Sequence, residues 1–500
     1  MAAGEGEDKK SQQHIVMLPF LAQGHLIPFL TLAGNLRRRF GAAVTVTIAT
    51  TPLNARYLRA ADPQNHIHIH ELPFDSSDHD LPPAVENTEA LPLRHVIKLF
   101  HASAALETPF RSLIRRISVA DGRPPLCIIS DVFTAWANDV AAATGTVNVV
   151  FSTGGAYGTA AYISLWQNLP HRTSSSDDGN FSLPGFPAAH QFHVSHLHPY
   201  LRAADGADDW SRFFQPQIGK SLKSFGWLCN TAAEIESLGF EILKNYVQKS
   251  VWCVGPLIIP ARTAVAGIDS RTGKKFGVSP EDCLRWLDGQ SEKSVLYISF
   301  GSQNTIGLSQ MTELALGLED SRFPFIWVLR PPAGFDVDGE FRREWLPAGF
   351  EERTARKNQG LLVRGWAPQV EILGHRSTAA FLSHCGWNSA VESLSQGVAL
   401  IGWPLAAEQG YNCKLLAEEM GVCVELGRGA ECEVGREEVR RVVETAAGGG
   451  RKAAEMRRRA AEVGRKIRAA VAEDGGGGSA WKALDDFIAA VGGRTNLIVP

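Results

Sequence analysis

The amino-terminal part of the chain alternates between apolar runs of strand length and apolar residues at helical spacing. Residues 14–20 (HIVMLPF) form such a run, and apolar positions then recur every three or four residues, with Pro28 suited to a first helical turn. Gly41 follows the last of these positions, and residues 44–50 (VTVTIAT) have the β-branched content of a second strand. The pattern predicts a βαβ unit whose helix begins near Pro28 and ends at Gly41.

One histidine, His25, interrupts the apolar sequence between the first strand and the predicted helix. Open parallel sheets bind ligands beyond the carboxyl ends of their strands, and this predicted loop lies there. A single histidine in an apolar loop is more often packed or hydrogen-bonded for structural reasons. Its position alone therefore does not assign it a function.

The same alternation continues along the chain in two series. The further predicted strands are residues 66–74, 125–133 and 146–153 in the first series, and 293–302, 325–330, 360–368, 380–386 and 398–404 in the second. Strands separated by helices predict parallel sheets that are covered on both faces. We therefore expect an α/β protein of two doubly wound domains, with a ligand cleft between them.

The segment between the two series has the turn-rich composition of a linker. We expect a first domain at residues 1–255, a linker at 256–280 and a second domain at 281–478. Residues 479–500 are expected to form a final helix and tail that packs back towards the first domain, with Ser479 as the N-cap.

Composition narrows the classes of partner. Lys and Arg total 50 and Asp and Glu total 53, which gives a formal net charge of −3. This balance favours neither nucleic-acid binding nor attachment to a membrane surface. The first residues are polar, and no apolar run has the length of a membrane-spanning helix, so we expect no membrane insertion and a cytoplasmic location. The expected partners are small molecules.

Metal and disulfide signals are weak. The 8 cysteines are scattered without a CxxC pair or metal-type spacing, which predicts reduced thiols and no disulfides. His66, His68 and His70 fall on one face of a predicted strand, but their alternation with isoleucine is ordinary for a half-buried strand. Residues 336–338 (DVD) lie in a loop rich in Pro and Gly. We expect no metal site at either position.

The most informative segment runs from Trp366 to Gln409: WAPQVEILGHRSTAAFLSHCGWNSAVESLSQGVALIGWPLAAEQ. It resembles, position for position, the signature box of plant family 1 UDP-dependent glycosyltransferases, which modify small lipophilic metabolites. The resemblance extends to AQGHLIP near the amino terminus and to CIISDVF and SFGS further along. It implies the GT-B architecture, in which two Rossmann-like domains face each other across a cleft. The first domain would bind the acceptor and the second the UDP-sugar donor.

The chemistry of a nucleotide sugar explains the residue types in this box. An indole stacks on uracil, a carboxylate accepts from a ribose diol, and N–H groups at a helix start bind a diphosphate. The resemblance assigns these roles to Trp366, the Ala367 backbone and Gln369 for uracil, Glu392 for ribose, and His384, Asn388, Ser389 and Ser302 for the diphosphate. Taken singly, each has a structural reading as a core aromatic, a packed histidine or a surface carboxylate. The assembled spacing is what favours a donor site.

The sugar contacts also follow from the resemblance. Glu408 and Gln409 match the hexose contacts, and Trp387 in place of an arginine argues against a glucuronic acid donor. The resemblance therefore favours UDP-glucose. Ser152 or Thr153 is a further donor contact, and the sequence does not choose between them.

A base is the remaining requirement, because a hydroxyl attacks an anomeric carbon faster when its proton is removed. A neutral imidazole just before a helix amino terminus suits this role, and a carboxylate behind it stabilises the imidazolium that forms. Asp131 ends a predicted strand at the same sheet edge as His25. The resemblance places the catalytic base and its partner aspartate on these two residues, with inversion to a β-glucoside and no metal or other cofactor.

The expected reaction is transfer of glucose from UDP-glucose to a hydroxyl of a phenolic, flavonoid, terpenoid or hormone. Two alternatives stay open. A nucleotide-sugar-binding protein without turnover would keep the donor box, although His25 and Asp131 favour an enzyme. A nicotinamide-dependent oxidoreductase would share the Rossmann-like pattern, but no GxGxxG opens either first βα turn.

Overall fold

Two parallel β-sheets and a small hairpin form in the computed structural model, which describes residues 12–62, 64, 66–173, 178–258, 275–336, 339–430, 432–473 and 477–495. Within these residues the strands are β1 (Gln13–Leu18), β2 (Val44–Thr50), β3 (His68–Glu71), β4 (Cys127–Asp131), β5 (Asn148–Ser152), β6 (Asn180–Ser182), β7 (Gln191–His193), β8 (Gly226–Cys229), β9 (Ser250–Cys253), β10 (Val295–Ser299), β11 (Phe325–Leu329), β12 (Gly360–Arg364), β13 (Thr378–Ser383), β14 (Ala399–Gly402) and β15 (Cys423–Glu425).

The strand order confirms the predicted α/β class. The first sheet has the order β3-β2-β1-β4-β5-β8-β9 and the second has the order β12-β11-β10-β13-β14-β15. Every pairing in both sheets is parallel, whereas β6 and β7 pair antiparallel. The short strands β6, β7, β8, β9 and β15, of three or four residues each, are not predicted from the hydrophobic pattern.

Helices connect the strands and cover both faces of each sheet. Over the same residues they are α1 (Gln23–Phe40), α2 (Pro52–Ala61), α3 (Leu93–Ala102), α4 (Glu107–Asp121), α5 (Ala137–Thr144), α6 (Ala156–Asn168), α7 (Pro199–Ala203), α8 (Asp209–Ser221), α9 (Ser237–Val247), α10 (Pro280–Asp288), α11 (Leu308–Ser321), α12 (Phe350–Arg356), α13 (Gln369–Gly374), α14 (Trp387–Ser395), α15 (Gln409–Lys414), α16 (Arg436–Ala447), α17 (Arg451–Ala470) and α18 (Ser479–Thr495).

The start of α1 differs from the prediction. The helix begins at Gln23 rather than near Pro28, because the backbone N–H groups of His25 and Leu26 both donate to the carbonyl of Ala22. His25 therefore lies in the first helical turn and not in a loop before it. Pro28 sits inside the helix, where its missing N–H leaves the carbonyl of Gly24 without the usual helical donor. The predicted end at Gly41 is confirmed by its positive φ of 55°.

The two faces of β1 show how the sheet is held in the fold. Ile15 and Met17 belong to one apolar cluster, which also contains Phe29 of α1. Val16 and Leu18, which point to the opposite face, belong to a second cluster. Because both faces are buried, the strand reads as a continuous apolar run rather than an alternating one.

The last helix, α18, returns to the first half of the chain. Trp481, Leu484 and Phe487 join the same apolar cluster as Ile15 and Met17. Ser479, expected as the cap, is instead the first residue of the helix, and its buried hydroxyl makes no hydrogen bond to the part of the chain that the structure describes.

Several sequence features lie partly outside the described residues. These are most of the predicted linker at 256–280 and the second and third positions of the acidic triplet at 336–338. All 8 cysteines are free thiols, and the sulfur atoms of Cys385, Cys413 and Cys423 lie within 4.8 Å of one another in the interior. The spacing in the sequence gave no sign of this cluster. Among the described helices, none combines the length and the apolar character needed to cross a bilayer.

Candidate active site

A cavity of about 990 Å³ lies between the two sheets, at the carboxyl ends of their strands. Loops and helix starts that follow the parallel strands of both sheets form its wall, which is the usual position for ligands in such folds. The cavity is lined by all of the predicted site residues: His25, Asp131, Ser152, Thr153, Ser302, Trp366, Ala367, Gln369, His384, Trp387, Asn388, Ser389, Glu392, Glu408 and Gln409.

The His25–Asp131 pair is formed by two neighbouring strands. Because β1 and β4 pair in register, with Leu18 beside Ser130, the chain leaves both strands at the same edge of the sheet. The Nδ1 atom of His25 lies 2.6 Å from Oδ2 of Asp131. The Asp131 side chain is 1% exposed and that of His25 is 23% exposed. The carboxylate thus lies behind the ring, and the opposite ring nitrogen is left for the cavity.

The other carboxylate oxygen is held by the backbone. Oδ1 of Asp131 accepts from the N–H of Phe133 at 3.0 Å, so the carboxylate cannot rotate without losing that bond. The rings of Phe20 and Phe133 lie 5.6 and 5.5 Å from the imidazole of His25. With a carboxylate as its acceptor, Nδ1 carries the ring proton, and a neutral ring then presents the lone pair of Nε2.

The direction of the pKa shift at His25 differs from the expectation. Burial opposes protonation of the imidazole, but the charge and hydrogen bond of Asp131, together with the charge of Glu408, outweigh it and raise the pKa of His25 above its ordinary value. Helix position alone predicts a lower pKa for this histidine. The carboxylates that face it come from β4 and the start of α15, and only the tertiary structure brings them to the ring.

The two candidates at the end of β5, Ser152 and Thr153, have different surroundings. The hydroxyl of Ser152 lies 2.6 Å from that of Thr159, in a buried pair. The hydroxyl of Thr153 lies 3.4 Å from Nδ1 of His25. Both residues line the cavity, and Thr153 is the one in contact with the proposed base.

The donor side is built around His384, which follows β13. A Cβ atom on Gly386 would lie 2.5 Å from Nε2 of His384, and one on Gly301 would lie 2.8 Å from the same ring, so only glycine allows these backbones to approach it. Burial lowers the pKa of His384 to about 4, which keeps the ring neutral. Its Nδ1 has no hydrogen-bond partner among the described residues. A buried polar atom without a partner at a cavity wall favours a ligand at that position.

A polar network connects Tyr297 of β10 with side chains of α13 and α14. The amide of Gln369 donates to Glu392 at 2.7 Å and lies 3.3 Å from the hydroxyl of Ser389. The hydroxyl of Tyr297 donates to the amide oxygen of Gln369 at 3.2 Å. Trp366 is half-buried and lines the same part of the cavity as Ala367. An indole face and a carboxylate are therefore presented together.

Glu408 and Gln409 lie where α15 begins. The amide oxygen of Gln409 accepts from the backbone N–H groups of Leu405 and Ala406, both at 2.9 Å, so its remaining donors are its NH₂ hydrogens. Burial raises the pKa of Glu408, and its carboxylate lies 3.3 Å from the side-chain amide of Asn412.

Hydrogen bonds between the two halves of the chain cross the floor of the cavity. The indole N–H of Trp387 donates to the carbonyl of Asn230 at 2.7 Å. The side-chain amide of Asn388 donates to the carbonyl of Gly24 at 3.1 Å, which is the carbonyl that Pro28 leaves without a helical donor. The proline inside α1 thus leaves the Gly24 carbonyl available to accept a hydrogen bond from Asn388 in the second half of the chain.

Sequence reasoning missed Asn230. Its amide donates to the carbonyl of Thr153 at 3.0 Å and lies 3.3 Å from the amide oxygen of Asn388. The only local signal was a polar residue directly after the short strand β8. The apolar wall near His25, which includes Phe100, Tyr162 and Trp210, was also missed because its residues come from separate elements.

Comparison with known proteins agrees with this geometry. Residues 234–434 match the family described as "UDP-glucoronosyl and UDP-glucosyl transferase", and residues 11–168 match "Glycosyltransferase, N-terminal domain". UDP-glycosyltransferase 92A1 of Arabidopsis thaliana is 40% identical over 489 residues, which cover 96% of this chain and 98% of the relative. Crocetin glucosyltransferase 3 of Crocus sativus is 42% identical over 445 residues, which cover 87% of this chain and 91% of the relative.

Solved structures have the same two-domain arrangement. Glycyrrhiza uralensis UGT73P12, complexed with glycyrrhetinic acid 3-O-monoglucuronide, has a TM-score of 0.81 and 30% identity, with 97% of each chain covered. Phytolacca americana UGT2, complexed with UDP-2fluoro-glucose and pterostilbene, has a TM-score of 0.76 and 27% identity, with 96% of this chain and 100% of that chain covered. The predicted GT-B architecture is confirmed, and the chain belongs to the plant family 1 UDP-glycosyltransferases.

Proposed function

We propose that this enzyme transfers glucose from UDP-glucose to a hydroxyl of a small hydrophobic acceptor, with inversion at the anomeric carbon. The observation that supports this most is the His25–Asp131 pair, 2.6 Å apart, in the same cavity as the glycine-flanked donor loop around His384. A protein that only bound a nucleotide sugar would have no use for a buried carboxylate behind an imidazole. The product is a β-glucoside.

The acceptor oxygen attacks the anomeric carbon on the face opposite the diphosphate. Nε2 of His25 takes the hydroxyl proton as the new C–O bond forms, and the bond to the diphosphate oxygen breaks with its electron pair on UDP. Asp131 stabilises the imidazolium that results, and its bond to Phe133 holds the carboxylate in place. The base later returns its proton to solvent.

The leaving group gains negative charge as its bond to glucose breaks. The start of α14 offers backbone N–H groups and the side chains of Asn388 and Ser389. Neutral His384 and the hydroxyl of Ser302 line the same part of the cavity. We propose that these donors meet the diphosphate charge without a metal ion.

The rest of the donor is held at the two sides of this helix start. Trp366 stacks on uracil beside the backbone of Ala367. The stacking contributes about 1–3 kcal/mol. Gln369 orients Glu392 through its 2.7 Å bond, and Glu392 accepts from the ribose hydroxyls. Glu408 and the NH₂ group of Gln409 bind glucose hydroxyls, with Trp387 forming the wall.

The choice of glucose rests on the residues at the sugar end. Trp387, whose indole N–H is already used by Asn230, presents no cation to a sugar carboxylate. One relative is named a crocetin glucosyltransferase, and one solved neighbour holds UDP-2fluoro-glucose. The apolar wall of the first half favours a phenolic, flavonoid, terpenoid or hormone as the acceptor.

Mass spectrometry tests the reaction directly. UDP-glucose, UDP-galactose and UDP-glucuronate are each incubated with a panel of phenolics and terpenoids, and we expect the gain of one hexose from UDP-glucose. His25→Ala should abolish transfer while calorimetry finds unchanged affinity for UDP. His66→Ala, an exposed histidine that does not line the cavity, is the matched control. Transfer by His25→Ala at the rate of the unmodified enzyme would reject the base assignment.

A further inference from the structure

One ring nitrogen in the acceptor half of the cavity, Nε2 of His198, has no hydrogen-bond partner among the described residues. His198 lines the cavity and is 8% exposed. Its Nδ1 accepts from the backbone N–H of Leu201 at 3.4 Å, at the start of α7. None of the residues that the structure describes takes a hydrogen bond from its Nε2.

The surroundings of His198 are aromatic. Its ring centroid lies 6.0 Å from that of Trp166, 6.1 Å from that of Trp210 and 6.3 Å from that of Tyr200. Trp210 is 9% exposed and, like Phe100 beside it, faces the cavity. The Nε2–H group of His198 thus reaches the cavity from a mostly apolar wall, where a polar group fixes the orientation of a ligand that supplies an acceptor.

The protonation state follows from the same geometry. Burial lowers the pKa of His198 to about 4, and the nearby charge of Arg202 acts in the same direction. Arg202 itself donates to the carbonyl of Leu197 and does not line the cavity. The ring is neutral at neutral pH, and because Nδ1 accepts, the single ring proton is on Nε2.

Resting on the proposed glucosyl transfer, we infer that His198 is a specificity residue whose Nε2–H donates to an uncharged oxygen of the acceptor, remote from the hydroxyl that is glycosylated. The acceptor class is therefore a flat apolar molecule with oxygen at both ends. One oxygen reaches His25, and the other is a carbonyl, ether or second hydroxyl at His198.

The charge of the remote oxygen is constrained as well. The acceptor wall that the structure describes, which includes Phe20, Val96, Phe133 and Ile163, presents no cation beside His198. Arg202 is near His198 but does not line the cavity, so a carboxylate there would lose its hydration without forming a direct ion pair. An uncharged oxygen loses far less hydration and gains the same donor.

Two matched pairs of phenols test the inference. Umbelliferone and β-naphthol are both bicyclic phenols, but only umbelliferone has lactone oxygens at the far end. Para,para′-dihydroxystilbene and para-hydroxystilbene differ in the same way over a longer span. Initial rates with UDP-glucose give kcat and KM for each substrate, so the two pairs also sample two reaches across the cavity.

His198→Phe keeps an aromatic ring but removes the donor. For at least one pair we expect kcat/KM for the oxygen-bearing member to fall about 5- to 30-fold, mainly through KM, while the other member changes by less than about twofold. His198→Gln, which restores an N–H donor, should recover part of the loss. His66→Phe should leave all four phenols unchanged.

An equal loss for both members of each pair, or no loss for either, would overturn the role of His198. Calorimetry with UDP separates this from misfolding, because the donor half binds UDP without the acceptor wall. If no phenol is glycosylated with any UDP-sugar, the proposed function fails. Acceptor affinities in the presence of UDP then still compare the two members of each pair.

Discussion

The exchange of Asp131 for asparagine tests the proposed base most sharply, because the two carboxylate oxygens have different partners. Oδ1 accepts from the backbone N–H of Phe133 at 3.0 Å, and Oδ2 accepts from Nδ1 of His25 at 2.6 Å. Asparagine has only one oxygen. The N–H of Phe133 is fixed in the backbone and can only donate, so the amide oxygen must stay there. The NH₂ group is then turned towards His25.

This arrangement reverses the tautomer of the imidazole. Nδ1 must accept from the amide, so the ring proton moves to Nε2, and no lone pair remains for the acceptor hydroxyl. We expect Asp131→Asn to lose the whole contribution of the base, about 10²- to 10⁴-fold in kcat. This corresponds to about 3–5 kcal/mol in the barrier. Loss of the charge alone, with the tautomer kept, would cost only about 1.5–3 kcal/mol, or about 10- to 150-fold.

The assay is the initial rate of glucoside formation at saturating UDP-glucose and acceptor, followed by liquid chromatography. His25→Ala and the double variant are measured beside Asp131→Asn, and calorimetry with UDP checks that the donor half is intact. Because both changes remove the same base, the double variant should be no slower than the slower single variant. If the losses of the two single variants multiplied in the double variant, or if Asp131→Asn lost less than about 100-fold, the reasoning would be refuted.

Two further outcomes follow from pKa and packing. Carboxylates hold the pKa of His25 above its ordinary value, and the base must be unprotonated, so kcat/KM should fall as the pH drops through that pKa. Glu408→Gln removes one of the negative charges that raise this pKa. In a pH–rate profile, the variant should therefore show the acidic fall in kcat/KM at lower pH. An unmoved acidic fall would contradict the coupling. Gly402→Ala would place a Cβ 2.5 Å from the sulfur of Cys413 and 3.1 Å from those of Cys385 and Cys423, so thermal unfolding should reveal a loss of about 1–3 kcal/mol. Gly34→Ala, which meets no atom within 4 Å in α1, should be neutral or stabilising by up to about 1 kcal/mol, and equal effects of the two would disprove the packing account.

The sequence by itself was enough to predict the longer strands and the residues of the donor site. Buried parallel strands such as β1, β2, β10 and β13 are rich in apolar and β-branched residues, so composition and length were enough to predict them. The donor box was equally local, because its residues follow one another through a short stretch of strands and helix starts. The fixed spacing of these residues was therefore enough to recognise the family resemblance. The short strands β3 and β14 were predicted because they lie within longer alternating or apolar runs, whereas β8, β9 and β15 were not predicted.

Only the tertiary structure decided how the site works. The pKa of His25 depends on Asp131 and Glu408, which reach it from other elements, and helix position by itself gave the wrong direction. Asn388 finds the carbonyl of Gly24 across the cleft, and that carbonyl is available because Pro28 cannot donate to it. The apolar acceptor wall around His198 is assembled from helices and loops far apart in the chain. Periodicity reports whether each residue is buried, but contacts between distant elements depend on how the sheets and helices pack in three dimensions.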